Sequence, residues 1–188
     1  MAFDLREYTI RRKVLKIFGA SFHVYDASGQ VVAFSSQKAF KLREDIRVFT
    51  DDTRSTELMN VRARQIVDFS AAYDMVDSAE NTKIGAARRK GWSSMIRDSW
   101  EVLDANDQPI ASLQEDSTAM ALLRRFLVNL IPQTFHMRDS DGRELAVMRV
   151  HFNPFIYRMT VSVSDTSVDP RVVFGAAVLL AAIEGRQQ

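Results

Sequence analysis

The sequence predicts a mainly β fold, in which an antiparallel sheet or barrel built from repeated hairpins surrounds a buried helix near the C-terminus. Two observations support this prediction. The first is an internal repeat of four similar segments, each running from an aromatic residue through an aspartate and a polar turn to an apolar residue. The second is a run of 12 residues without charge, 172–183, which has apolar or small side chains on every face of a helix.

Each copy of the repeat has the chemistry of a β-hairpin. Aspartate accepts hydrogen bonds from the backbone two residues further on, and glycine adopts a positive φ without steric cost, so both residues favour tight turns. The flanking aromatic and β-branched residues favour strands. The copies read FHVYDASGQVVA from Phe22, YDMVDSAENTKIGA from Tyr73, WEVLDANDQPIA from Trp100 and FHMRDSDGRELA from Phe135, with turn aspartates Asp26, Asp77, Asp104 and Asp139.

Between the hairpins, apolar residues alternate with polar ones, which is typical of strands with one face in a core. Met59, Val61 and Ala63 form one such series, and Ala146, Met148 and Val150 form another.

The terminal helix is predicted over 170–184. Asp169 is a favourable N-cap, Pro170 suits the first helical position, and Gly185 follows the last apolar turn. Fifteen residues make a helix of about 22 Å, which is short for a hydrocarbon layer of about 30 Å. We therefore expect this helix to be buried in the protein and expect no transmembrane segment. Apolar residues at helical spacing predict a second helix near 118–131, which Pro132 ends.

Composition narrows the class of protein. The chain has 188 residues, a length that fits one domain over 1–188. It has no cysteine, so disulfides and cysteine-based metal sites are excluded. Its 25 basic and 24 acidic residues give a net charge of +1, which does not favour a nucleic-acid partner. The N-terminus lacks the uninterrupted apolar core of a secretory signal, and we expect a cytoplasmic protein that is either free or peripheral at a membrane.

Three longer segments carry a resemblance to a known group of proteins. They read YTIRRKVLKIFGASFHVYD at 8–26, LLRRFLVNLIPQTFHMRDSDGRELAVMRVHFNPF at 122–155 and DPRVVFGAAVLLAAIEGRQ at 169–187. In these the chain resembles the tubby-like superfamily, which includes phospholipid scramblases and the LURP-one-related proteins. The resemblance implies a closed antiparallel barrel of 12 strands around a central C-terminal helix.

The same resemblance bears on function. Tubby domains bind phosphoinositides through basic residues, scramblases are linked to calcium-dependent movement of lipids, and LURP-one-related proteins mostly have no defined activity. Before the terminal helix this chain reads SVSDTSVDP, with only Asp165 and Asp169, in place of the acidic calcium segment of scramblases. The fold is therefore expected to carry over, and the activity is not.

Two basic clusters are the candidate binding sites. Arg62 and Arg64 lie on the same face of a predicted strand, and Arg88, Arg89 and Lys90 lie on the outgoing arm of the second hairpin. Arginine can form two parallel hydrogen bonds to the oxygens of a phosphate, so these residues are candidates for a lipid headgroup. The alternative is a solvated outer strand face.

No catalytic motif, cofactor motif or metal-ligand spacing is present, and we expect neither an enzyme nor a cofactor. His23 and His136 occupy the same position in two hairpins, which repetition explains better than a metal site. The aromatic turn at 152–157 is predicted to be a barrel corner packed inward. The function predicted is contact with anionic phospholipid headgroups. The alternatives are a protein-interaction module, and a small-ligand binder or enzyme with a pocket at a barrel end.

Overall fold

The computed structural model describes residues 2–13, 20–37, 45–64, 72–90, 99–116, 133–151, 153 and 155–184. A short 3₁₀ turn, Ala2–Asp4, precedes the first strand, and one helix, α1 (Pro170–Glu184), follows the last. The strands of this part of the chain are β1 (Glu7–Lys13), β2 (Ala20–Asp26), β3 (Val31–Gln37), β4 (Asp45–Phe49), β5 (Glu57–Ala63), β6 (Ala72–Asp77), β7 (Thr82–Arg89), β8 (Ser99–Asp104), β9 (Pro109–Glu115), β10 (Thr134–Arg138), β11 (Glu144–His151) and β12 (Ile156–Val163).

The strands form a closed antiparallel barrel. Each strand pairs with its neighbours in sequence, and β12 returns to pair with β1, from Glu7 opposite Ser162 to Lys13 opposite Ile156. Closure leaves no free edge strand in the sheet. This confirms the predicted mainly β fold, a 12-stranded barrel of successive hairpins.

The four repeated segments are hairpins with the predicted turn chemistry. In the third, Oδ1 of Asp104 accepts the backbone N–H groups of Asn106 and Gln108, both at 2.8 Å. Residues with positive φ stand where the repeat places them, at Gly29 (85°), Asp107 (66°) and Gly142 (80°). The second copy, with its extra residue, uses Asn81 (52°). The strand pairing also shifts register just before each turn.

A fifth hairpin joins β4 to β5. Oδ1 of Asp51 accepts the backbone N–H of Thr53 at 2.9 Å, and Arg54 has a φ of 59°. Because successive strands are antiparallel, all five hairpin turns lie at one end of the barrel, which we call the turn end. The β11–β12 connection lies at the opposite end.

Helix α1 fills the barrel, which confirms the prediction for 170–184. Oδ1 of Asp169 accepts the backbone N–H of Arg171 at 2.9 Å, as an N-cap does. The apolar side chains from Val172 to Ile183 are at most 9% exposed. The ring of Phe174 contacts Phe3 and Tyr8, with centroids 5.1 and 5.4 Å apart. Among the described residues, no helix is long and apolar enough to cross a membrane. The predicted second helix near 118–131 and Gly185 lie outside the described residues.

The alternating strands bury the expected face. Ala146, Met148 and Val150 of β11 point into the core and are at most 2% exposed. Arg149 lies between them in sequence and is exposed on the outer face. Because α1 occupies the interior, the polar and charged side chains of β11 lie on the outer face of the barrel.

Candidate functional site

Arg62 and Arg64 lie next to carboxylates. Nε of Arg64 donates to Oδ1 of Asp74 at 2.7 Å, and its guanidinium group also contacts Asp107 in the β8–β9 turn. Arg62 is exposed and lies opposite Asp45 on β4 and Asp74 on β6. The charge of Arg64 is therefore paired within the sheet, whereas Arg62 lies opposite two carboxylates that also pair with Arg47 and Arg64.

The second predicted cluster, Arg88, Arg89 and Lys90, also lies next to a carboxylate. Nη2 of Arg88 lies 2.5 Å from Oε2 of Glu101, and Nζ of Lys90 lies 3.8 Å from the other oxygen of that carboxylate. The hydrogen bond from Arg88 lowers the pKa of Glu101, against a smaller opposing effect of burial. The Arg89 guanidinium carbon lies 5.8 Å from the centre of the Trp100 ring. The structure thus places Arg88, Arg89 and Lys90 close together, but these residues already contact the Glu101 carboxylate or the Trp100 ring.

A different set of arginines forms no ion pair with a carboxylate among the described residues. Arg11 of β1 lies directly opposite Arg158 of β12, and Arg158 lies opposite His151 of β11. Arg149 stands two residues before His151, on the same outer face. Within the part of the chain that the structure describes, neither Arg149 nor Arg158 forms an ion pair, and Arg11 stacks on the Tyr25 ring at 4.6 Å. We call Arg11, Arg149 and Arg158 the cationic face.

His151 lies within the cationic face. Its Nε2 is 2.8 Å from Oγ1 of Thr160 on the neighbouring strand. Partial burial lowers the pKa of His151, and the charges of Arg158 and Arg149 lower it further. The lowered pKa favours the neutral ring, one nitrogen of which is hydrogen-bonded to Thr160.

A groove runs over this part of the outer face. It has a volume of about 410 Å³ and is lined by Glu7, Val147, Arg149, His151, Thr160 and Ser162. Its lining combines a guanidinium group, two hydroxyls and an imidazole, which are groups that bind phosphate oxygens, with one carboxylate, that of Glu7.

The β11–β12 turn exposes an apolar tip beside the cationic face. Oδ1 of Asn153 accepts the backbone N–H groups of Phe155 and Ile156, at 2.9 and 3.0 Å. Phe155 is 68% exposed and Ile156 is 39% exposed, whereas Tyr157 is fully buried. The prediction of an inward-packed corner is therefore right for Tyr157 and wrong for Phe155, because the asparagine-capped turn holds Phe155 beyond the end of the core. Phe152 and Pro154 lie outside the described residues. We call Phe155 and Ile156 the apolar tip.

The two repeated histidines have structural contacts. His23 packs against the Phe34 ring, with centroids 5.1 Å apart. His136 lies between two carboxylates, with Nδ1 at 2.6 Å from Glu144 and Nε2 at 3.0 Å from Asp116. Among the described residues, no group of three or more histidines and carboxylates is arranged to hold a metal ion.

A comparison with protein families identifies the family of the chain. A family model described as LURP-one-related matches residues 32–181, which is most of the chain. The chain belongs to the LURP-one-related family. This family lies within the tubby-like superfamily, so that part of the predicted resemblance is confirmed, while the likeness to scramblases stays a prediction. No curated protein matches the sequence.

Domains of the LURP-one-related family have a poorly defined function. The barrel family to which they belong is generally non-enzymatic. The matched segment contains Arg149 and Arg158, whereas Arg11 lies before it.

Sequence reasoning missed this trio because its members are single arginines on three strands, brought together by closure of the barrel. The available signal was an arginine at a solvent-facing position in each of three alternating strands. Only the register of β1 with β12 shows that Arg11 and Arg158 lie next to each other.

Proposed function

We propose that this protein is a non-enzymatic domain that binds anionic phospholipid headgroups at a membrane surface through the cationic face. The observation that carries the proposal is the direct opposition of Arg11 and Arg158, neither of which forms an ion pair with a carboxylate among the described residues. Like charges in opposite positions of neighbouring strands destabilise a sheet. An anion bound between these arginines would remove that cost.

The chemistry of the cationic face suits phosphate. Arg149 and Arg158 are exposed, so their guanidinium groups are free to form paired N–H hydrogen bonds to phosphate oxygens. Arg11 is held in place by stacking on Tyr25, so less side-chain freedom is lost when it binds. The hydroxyl of Thr160, which is hydrogen-bonded to His151, lines the groove beside Arg149.

The position of the apolar tip favours a lipid bilayer over a dissolved phosphate compound. Ile156 and Arg158 are on the same outer face of β12, two residues or about 7 Å apart. A surface of this kind inserts its apolar side chains at the headgroup boundary while its cations meet anionic lipid. The hairpin aspartates are at the turn end, away from the tip. We therefore infer that the tip's end of the barrel faces the membrane.

The anionic leaflet that such a face would meet is the cytoplasmic one, since anionic lipids are concentrated there. We therefore place the protein in the cytoplasm, peripheral at the membrane. Arg62, Arg64, Arg88, Arg89 and Lys90, the clusters predicted from sequence, remain a second candidate surface. Their carboxylate neighbours make them the weaker one.

A protein-interaction module is the alternative from another class. The large hydrophobic residues exposed within the described residues are Val31, Phe155 and Ile156. Only the last two are adjacent, and two exposed side chains give less support to this alternative than the apolar patches of several hundred Å² that mark protein interfaces would. A pocket inside the barrel end has less support, because α1 fills the interior.

Co-sedimentation with vesicles tests the proposal. We expect binding to phosphatidylcholine vesicles that contain phosphatidylserine, little binding to phosphatidylcholine alone, and weaker binding as salt rises. The double variant Arg149→Gln/Arg158→Gln should lose binding, whereas Arg64→Gln/Arg88→Gln should keep most of it. Loss in the second variant alone would move the site to the clusters predicted from sequence. Absence of binding to any anionic vesicle would refute the proposal.

A further inference from the structure

The groove on the outer face has two poles of opposite charge. Arg149 lines it from β11, and Glu7 lines it from β1. In register, Arg149 lies opposite Thr160 and Glu7 lies opposite Ser162, so the two poles are one row of side chains apart, about 7 Å along β12.

The two poles do not neutralise each other. Glu7 and Arg149 are both exposed, and within the described residues neither takes part in an ion pair. Two strand spacings, each about 4.8 Å, separate β1 from β11. A carboxylate and a guanidinium group therefore line one groove with space between them.

The side chains between the poles are small or polar. Thr160 and Ser162 present hydroxyls from β12, and Val147 lies opposite Ser162. Hydroxyl groups donate or accept as the ligand requires. The groove therefore suits a short ligand that has an anion at one end and a cation with N–H donors at the other.

We propose that the groove recognises a phosphoethanolamine group, with the phosphate at Arg149 and the primary ammonium at Glu7. This inference rests on the proposed function and specifies the headgroup. The group is the headgroup of phosphatidylethanolamine, forms part of the phosphoserine headgroup of phosphatidylserine, and also occurs as free phosphoethanolamine. Its two charges are joined by a two-carbon linker, which is short enough to lie within the groove. A primary ammonium donates three hydrogen bonds, whereas the trimethylammonium of phosphatidylcholine donates none.

Glu7 makes the groove selective in a way that net charge does not. Phosphatidylglycerol has the same net charge as phosphatidylserine but lacks an ammonium group, so Glu7 repels it without compensation. A headgroup that has only phosphates is disfavoured for the same reason.

The experiment compares vesicles of phosphatidylcholine with an equal fraction of either phosphatidylserine or phosphatidylglycerol. We expect the wild-type protein to prefer phosphatidylserine about 1.5- to fivefold, the range of one exposed ion pair. Glu7→Gln should lose this preference, chiefly by gaining affinity for phosphatidylglycerol. Replacing part of the phosphatidylcholine by phosphatidylethanolamine, at constant phosphatidylglycerol, should strengthen wild-type binding and leave Glu7→Gln unchanged.

A competition arm separates the two sources of the group. Competition by free phosphoethanolamine, but not by glycerol phosphate, would show that the group alone is recognised. An intact vesicle preference without such competition would assign recognition to the lipid. Equal binding of the wild-type protein to both anionic vesicles, with Glu7→Gln unchanged, would overturn this inference and leave the proposed function standing. Absence of binding to every anionic vesicle would overturn the proposed function as well.

Discussion

Arg11 of β1 and Arg158 of β12 lie directly opposite each other across the strand pair that closes the barrel. Sheets are stabilised by opposite charges in such positions and destabilised by like charges. The neighbouring Arg149 and His151 add no negative charge. The pairing of β1 with β12 therefore includes an unfavourable repulsion between two arginines. We infer that this repulsion is retained because the two arginines belong to a binding surface.

This relationship predicts that one substitution will improve stability and impair binding. Arg158→Gln should raise the free energy of unfolding by about 0.5 kcal/mol, because it removes the repulsion from Arg11. The same variant should bind anionic vesicles more weakly. Urea unfolding monitored by circular dichroism measures the first effect.

Arg62→Gln is the matched control, since Arg62 is also exposed but lies between Asp45 and Asp74. It should leave stability unchanged or lower it slightly. Equal destabilisation in both variants would contradict the assignment of repulsion at Arg158.

The apolar tip should contribute to membrane binding without contributing to folding. Phe155→Ser should weaken vesicle binding about tenfold, as expected for losing part of the transfer of a large apolar side chain. Since Phe155 is 68% exposed, the unfolding midpoint should not move.

Val31→Ser is the control for the tip, because Val31 is 41% exposed but begins β3 at the turn end. Its vesicle binding should equal that of the wild-type protein. Similar losses at Val31 and Phe155 would contradict the proposed orientation of the barrel.

The close approach of α1 to β7 depends on Gly85. A Cβ at this position would lie 2.7 Å from the carbonyl oxygen of Leu103 and 2.9 Å from Cγ2 of Val172. Because the first contact is with backbone, Gly85→Ala should lower stability by about 1–3 kcal/mol, which thermal unfolding would detect.

Gly175→Ala is the comparison, since its Cβ would meet the sulfur of Met75 at 2.8 Å. Methionine side chains adapt readily, and alanine favours a helix over glycine. The loss should therefore be smaller than at Gly85. The reverse order would show that the helix can shift within the barrel.

Arg171 links the start of α1 to the β6–β7 hairpin, with Nη1 at 2.8 Å from Asp77 and Nη2 at 2.7 Å from Asp169. Burial alone would raise the pKa of Asp77. Hydrogen bonds from the backbone of Glu80 and Ala79 and from Arg171 together lower it below the ordinary value of 3.8. The stability that this carboxylate contributes is complete above the ordinary pKa and is lost as the pH falls through the lowered one.

Asp77→Asn tests this link, because the amide oxygen can still accept the turn hydrogen bonds while the charge is lost. We expect a loss of about 1–3 kcal/mol at pH 7 and a shallower fall in stability between about pH 5 and pH 2. Denaturant unfolding at a series of pH values measures both. Asp26→Asn, in an equivalent turn without an arginine partner, should have a smaller effect. An unchanged acid profile in Asp77→Asn would contradict the role of the pair.

The sequence specified the local elements well. Asp169 and Pro170 start α1 at the predicted residue, and the turn aspartates lie at the predicted positions, because these signals act within a few residues. The hairpin at Asp51 was not recognised, since its longer turn, with positive φ at Arg54, does not match the repeat.

The proposed binding surface could not be predicted in the same way. The runs at Arg62–Arg64 and Arg88–Lys90 are conspicuous in sequence, but Asp74, Asp107 and Glu101 reach them only across strands. Conversely, Arg11 and Arg158 are at opposite ends of the chain. Cross-strand register decides which charges are balanced, and register follows from closure of the whole barrel.

The most direct test of the central claim is to map backbone amide NMR shifts as bicelles containing phosphatidylserine are added to the labelled protein. We expect the shifts to concentrate on β1, the end of β11 and β12, around Arg11, Arg149 and Arg158, and at the apolar tip. Arg158→Gln should reduce those shifts. Shifts centred instead on Arg64 and Arg88, or on the hairpins of the turn end, would contradict binding through the cationic face.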